Sequence, residues 1–139
     1  MYDKILVAVD YSEPSMRAVH AARDLACLSH GEVWVLHLVE REPGGKTGVL
    51  TSDESTARAR KAVDASVEML SGAGVKAHGL AGHTIFGYAA REIISAAKEH
   101  DVDVIVMGSR GRGDLAGLVL GSTAHKVIHL ADRPVLVVR

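Results

Sequence analysis

Five short apolar runs alternate with four amphipathic segments along the chain. The first run, Ile5-Leu6-Val7-Ala8-Val9, is unbroken and stops at Asp10. The second, 33–39, carries one polar residue, His37, and the third, 75–81, is the weakest. Val104-Ile105-Val106-Met107 and Val135-Leu136-Val137-Val138 complete the set. Most are rich in β-branched residues and lack strict alternation, which suits strands covered on both faces of a parallel sheet.

The segments between them follow a helical period. The first opens at Ser12, a cap candidate, with Pro14 tolerated in the first turn, and it places Ala18, Ala22, Leu25 and Ala26 on one face before Gly31. The second, 52–70, aligns Ala59, Val63, Val67 and Leu70, with Arg60, Asp64 and Glu68 as a polar row and Gly72 and Gly74 beyond. The third, 86–99, turns Ala90, Ile93, Ile94 and Ala97 inward. The fourth opens at Ser122 and buries Ala124, Val127, Ile128 and Ala131, and Pro134 prevents its continuation. Strict β-α alternation predicts one α/β domain over residues 1–139, with right-handed crossovers and helices on both faces of the sheet. The only loop-like insertion is 42–51, EPGGKTGVLT.

Composition narrows the class. A chain of 139 residues with 47% apolar and 24% charged residues is ordinary for a globular protein and excludes a disordered one. A net charge of −1 gives no general attraction to nucleic acid, although a few backbone amides can still hold a small polyanion. Cys27 is the only cysteine, so no intramolecular disulfide or cysteine metal cluster forms. No apolar run is long enough to span a membrane and the N-terminus lacks a signal-peptide pattern, so a cytoplasmic location is expected.

Three glycine patterns compete as ligand loops. Gly45-Lys46-Thr47 resembles the end of a P-loop, but the leading glycine would fall on Glu40. Gly111-Arg112-Gly113-Asp114-Leu115-Ala116 has the form GxGxxA, but it does not follow its strand directly and lacks the acidic residue ending the next strand. The third spans Gly108, Gly111, Gly121 and Ser122 with spacing G-x2-G-x9-G-[ST]. A glycine at the strand end would let backbone approach a ligand, and the amides of Gly121, Ser122 and Thr123 would open a helix whose first N–H groups lack partners. A phosphate chain could sit there, with Arg110 and Arg112 adding charge; a plain cap at Ser122 with an unoccupied loop is the other reading.

At this point the chain resembles the universal stress protein family, in its nucleotide-binding branch. KILVAVDYSEPS at 4–15, LHLVE at 36–40, VIVMGSRGRGDLAGLVLGSTAHKVI at 104–128 and PVLVVR at 134–139 carry the resemblance, and Gly82-His83-Thr84 departs from the Gly-x-Pro of many members. The resemblance implies a five-stranded parallel sheet of order 3-2-1-4-5, the adenine nucleotide alpha-hydrolase-like arrangement. It further implies ATP, with Mg²⁺ or Mn²⁺, across the C-terminal ends of strands one and four. The sheet rule that ligands bind where strand order reverses points to the same place. Residues implied in the site are Ala8, Val9, Asp10, Leu38, Met107, Gly108, Arg110, Gly111, Gly121, Ser122 and Thr123. Asp10 would meet the nucleoside end, and the Leu38 backbone with Val9 and Met107 would form the adenine slot.

The remaining candidates carry less. His125 and His129 are four apart on helix four, but no third metal ligand is evident. Cys27 reads as a small core residue beside the apolar face of helix one. No GxSxG nucleophile elbow occurs. A slow ATP hydrolase or adenylyl-transfer enzyme using the same pocket stays open, with Asp10 and His125 its nearest candidates, as does a dimeric interaction module without nucleotide. Cyclic AMP stays open as the ligand. The strand Val135, Leu136, Val137, Val138 would lie at the sheet edge, and an apolar unpaired edge predicts antiparallel pairing in a homodimer. That also matches what the family commonly does.

Overall fold

The computed structural model describes residues 1–10, 13–41, 52–85, 87–110 and 120–139. Elements run β1 (Lys4–Val9), α1 (Glu13–Ser29), β2 (Glu32–Arg41), α2 (Ser52–Gly72), β3 (Ala77–Ile85), α3 (Ala89–Glu99), β4 (Val104–Gly108), α4 (Ser122–Leu130) and β5 (Val135–Val138). The strands form one sheet of order β3-β2-β1-β4-β5, and every pairing is parallel. The expected architecture is therefore observed.

Each face of the sheet has its own core because successive strand residues point to opposite sides. Ile5, Val7 and Val9 of β1 pack with Val33 and Val35 of β2 under Ala18, Ala22 and Ala26 of α1 and Val63 and Leu70 of α2. Leu6, Leu36, Ile105 and Met107 pack on the other side against Ala90, Ile93, Ile94 and Ala97 of α3 and Ala124 and Val127 of α4. Strands sandwiched this way must be apolar at nearly every position, which is why their sequences do not alternate.

Several boundaries differ from the sequence reading. α1 ends in a left-handed residue, but that residue is His30, with φ 56°, rather than Gly31. Gly31 instead lies where a Cβ would come within 2.6 Å of the Tyr2 carbonyl oxygen. β3 begins at Ala77 and continues through Gly82-His83-Thr84, so this triplet is strand rather than a loop before α3. α3 starts at Ala89, later than expected, after the cap residue Tyr88. Ile128 is 47% exposed and Cys27 is also exposed, so neither belongs to the core. Ser12, Phe86 and the 42–51 insertion with Gly45-Lys46-Thr47 lie outside the described residues. Among the described residues, no helix is long and apolar enough to cross a membrane.

Arg133 ties the lower end of the sheet together. One guanidinium nitrogen donates to the carbonyl oxygens of Ala97, at 2.9 Å, and Val102, at 2.7 Å. It thereby adds a second donor to a carbonyl in the last turn of α3, which also accepts the Val102 amide at 3.0 Å, and supplies a donor to the Val102 carbonyl just before β4.

Candidate functional site

β1 and β4 are neighbours, yet the chain leaves β1 for a helix on one face and passes from β4 to a helix on the other. Diverging connections open a crevice above the strand ends. β2 deepens it. Its last partner on β1 is His37, opposite Val9, whereas residues 38–41 continue in register with β3 alone. Beyond Val9, the edge of β2 facing β1 therefore presents backbone that has no ladder partner on that side among the described residues.

A cavity of about 420 Å³ occupies this crevice. Ala8, Val9 and Asp10 line it from the end of β1, and Met107, Gly108 and Arg110 from the end of β4. Leu38 lines it from β2, and Gly121, Ser122 and Thr123 from the mouth of α4. The structure thus brings together every described residue of the expected site. Gly111, with Arg112 and the rest of the 111–119 segment, lies outside the described residues.

Ser15, Leu36, Glu40, Ala89, Ile93 and Ala124 also line the cavity and were not anticipated. Two of these follow from simple periodicity. Leu36, Leu38 and Glu40 are successive same-face positions of one strand, and once Leu38 is placed its neighbours follow. Ala89 and Ile93 come from α3, whose N-terminal turn the sequence assigned to core packing alone.

Local chemistry fixes the site's frame. The Ser15 hydroxyl accepts a 2.7 Å hydrogen bond from the Asp10 amide, pinning the end of β1 to the first turn of α1. The lack of a side chain at Gly108 serves the same junction. A Cβ there would lie 2.9 Å from the Pro14 Cβ and 3.0 Å from its carbonyl carbon. The close approach that requires this glycine is therefore to α1, not only to a ligand.

The mouth of α4 also differs in detail from the expectation. Gly121, with φ −70° and ψ 159°, is the N-cap, and its amide donates to the Ser109 carbonyl oxygen at 2.6 Å. Ser109 in turn donates its amide to the Val138 carbonyl at 2.7 Å. The Gly121 N–H is thus already committed and is removed from the set of phosphate donors. The first bond of the helix runs from the His125 amide to the Gly121 carbonyl, at 2.9 Å. The amides of Ser122, Thr123 and Ala124 precede it and have no intrahelical acceptor. They carry the positive end of the helix dipole toward the cavity.

Charge is distributed unevenly around the cavity. Arg110 and the α4 mouth lie on the β4 side, while the carboxylates Asp10 and Glu40 come from β1 and β2. The surrounding protein displaces water from the Glu40 carboxyl and raises its pKa, and the Lys126 charge opposes this. On the opposite face of β2, His37 is buried, and desolvation lowers its pKa while the Asp10 charge acts against that shift. His125 is exposed on α4 and does not line the cavity. Its ring is parallel to that of His129 with centroids 6.4 Å apart. Among the described residues, no group of three His, Cys, Asp or Glu side chains gathers as a metal centre.

A three-layer α/β fold with a crevice at the reversal of strand order defines a class of small-ligand-binding proteins, and comparison with known proteins makes the assignment specific. The model of the universal stress protein family matches residues 1–139, and the chain belongs to that family. It is 39% identical over 152 aligned positions to the universal stress protein YxiE of Bacillus subtilis, with 100% of both chains covered. A universal stress protein from Archaeoglobus fulgidus superposes with a TM-score of 0.80 at 29% identity, covering 100% of each chain. A structure of the universal stress protein from Archaeoglobus fulgidus in complex with dAMP superposes with a TM-score of 0.76 at 27% identity, covering 99% of this chain and 98% of that one.

Proposed function

We propose that this universal stress protein binds ATP in the crevice and acts as a nucleotide-responsive regulatory or stress-tolerance protein. The observation that carries the reading is the polarity of the cavity. One end offers three helix-terminal amides, the hydroxyls of Ser122 and Thr123 and the Arg110 guanidinium. The other end is a slot walled by Leu36, Leu38, Ala89, Ile93 and Met107. The first suits a phosphate chain and the second a flat base. Asp10, between them at the end of β1, suits the sugar hydroxyls. The dAMP complex of the Archaeoglobus relative supports an adenine nucleotide as the class of ligand.

Mg²⁺ fits this arrangement as a companion of the phosphates. Magnesium at such sites keeps several waters and takes much of its coordination from phosphate oxygens, so few protein ligands are needed. The Ser122 and Thr123 hydroxyls would supply them at the phosphate end.

The same reading includes a homodimer. Among the described residues β5 is an edge strand bonded to β4 alone, and Leu136 is 42% exposed upon it. Ile128 and Leu130 of α4 add exposed apolar surface, at 47% and 50%. Antiparallel pairing of Val135, Leu136, Val137 and Val138 with a second copy would remove the open edge.

The test is calorimetric titration of ATP with Mg²⁺, together with mass spectrometry of any ligand released from the freshly purified protein. Micromolar binding is expected, weakened in Asp10→Ala. Absence of heat together with absence of co-purified nucleotide overturns the proposal.

A further inference from the structure

Glu40 stands out among the residues that line the cavity. It follows Leu36 and Leu38 on the same face of β2, and it is the only one of the three with a polar side chain. It lies on the part of β2 that outruns β1, where the strand is paired with β3 alone. Its position relative to the phosphate end follows from sheet geometry. β2 and β4 flank β1, so they stand about 10 Å apart at the usual strand spacing. Glu40 is three residues past His37, the last partner of β1, which places it about 10 Å further along β2. Glu40 is therefore displaced from the α4 mouth both across the sheet and along the strand.

A nucleotide laid with its phosphates at α4 and its sugar at Asp10 points its base toward β2. On a purine, the 6-substituent sits on the edge remote from the bond to the sugar. The polar side chain farthest from the phosphates is therefore the one that meets this substituent. Adenine carries an amino donor at that position, whereas guanine and hypoxanthine carry a carbonyl acceptor. A carboxylate has acceptors only, so on the N7 side of the 6-substituent, away from the N1–H donor that a 6-oxopurine carries, it bonds the first and repels the second. Lys126 of α4 is close enough for its charge to be felt at Glu40. The ammonium works against the desolvation that raises the Glu40 pKa, and Lys126 is not among the residues lining the cavity.

We propose that Glu40 is a specificity-determining residue that selects 6-aminopurine nucleotides over 6-oxopurine nucleotides by accepting a hydrogen bond from the exocyclic amine. This rests on the ATP-binding reading above. Asp10 and Glu40 together also set the orientation of the ligand, since two carboxylates on the β1–β2 side disfavour phosphates there.

The experiment titrates ATP and inosine triphosphate, which replaces the 6-amino group with a carbonyl, into the full chain and into Glu40→Ala and Glu40→Gln. The readout is the ratio of the two dissociation constants in each protein. Because both ligands meet the same folded protein, that ratio is unaffected by a general loss of stability. The unsubstituted chain is expected to prefer ATP by about tenfold or more, as charged hydrogen bonds allow. Glu40→Ala is expected to shrink the preference about three- to tenfold. Glu40→Gln is expected to shrink it by improving inosine triphosphate, because an amide can donate to the carbonyl. Equal preference in all three proteins, with ATP still bound, overturns the role of Glu40 and leaves the proposed function standing. An equal gain for both ligands in Glu40→Ala has the same meaning, since it reduces Glu40 to simple charge repulsion. Failure of the unsubstituted chain to bind either ligand overturns the proposed function itself.

Discussion

Placing a methyl group at position 108 tests the claim that Gly108 is shaped by the packing of α1. In Gly108→Ala the new Cβ would stand 2.9 Å from the Pro14 Cβ, 3.0 Å from its carbonyl carbon and 3.1 Å from its oxygen. Two of these three atoms are backbone, so no side-chain rotation relieves them, and the start of α1 must move away from β4. Overpacking of this kind costs about 1–3 kcal/mol. The lower entropy of the unfolded alanine chain returns about 0.4–1 kcal/mol. The net expectation is a loss of about 1–2 kcal/mol. For 139 residues, an unfolding entropy of about 2.1 cal/mol/K per residue makes that a fall of roughly 3–7 °C in Tm. Urea unfolding at constant m-value, followed also by thermal melting, measures it. A second readout is the NMR shift of the Asp10 amide, whose bond to Ser15 spans the displaced junction. Gly72→Ala is the control: nothing lies within 4 Å of its Cβ position, at the end of α2. That change is expected to be neutral or to stabilise by up to about 1 kcal/mol. Gly108→Ala matching the parent in midpoint and amide shift would refute the packing argument.

Arg133→Ala removes a donor from the Val102 carbonyl, while the Ala97 carbonyl keeps the Val102 amide, and is expected to cost about 1–2 kcal/mol in urea unfolding, with faster amide exchange in the last turn of α3. Ser15→Ala removes the acceptor of the Asp10 amide at a site only 3% exposed, and about 1 kcal/mol of stability together with weaker ATP binding should be lost in melting and calorimetry. Acidification tests His37. Its folded-state pKa is lowered, so between that value and its usual value near 6.5 the unfolded chain binds more protons and stability falls as pH falls. The loss begins below about pH 6.5 and should be reduced in His37→Gln. Glu32, lowered first by its hydrogen bond to His78, loses its contribution only at more acidic pH, below its usual value near 4.5, so the two windows separate. Leu136→Arg is expected to shift a dimeric sedimentation profile to monomer, while a monomeric parent would remove the edge-pairing reading.

The architecture was legible because buried parallel strands leave an unusually plain trace. Ile5 to Val9 and Val104 to Met107 are covered on both faces, and both runs were located to within a residue. β3 was placed less well because its burial is partial, with Gly79, Ala81 and His83 exposed and few β-branched residues to mark its end at Ile85. The helix faces were read correctly where two layers press on them, as at Ala90, Ile93, Ile94 and Ala97. Ile128 was misplaced because the period marks apolar positions and cannot tell a core from an open surface; Cys27 failed similarly. Within the site, glycine spacing located the residues but not their bonds. Nothing in the letters reveals that the Gly121 amide is taken by Ser109, or that Gly108 is small on account of Pro14. Glu40 escaped notice because it closes a run that reads as a strand end, and its place in the cavity depends on β2 outlasting β1.

The Ser109 peptide unit joins the outermost strand to the cap of α4 through two main-chain bonds, from its amide to Val138 and from Gly121 to its carbonyl. A rivet made of backbone alone is invisible to alanine scanning, which changes only what hangs from it. Whether strain on the outer strand is felt at the crevice is therefore a question for amide-exchange protection at Ser109 and Gly121, not for a mutant library.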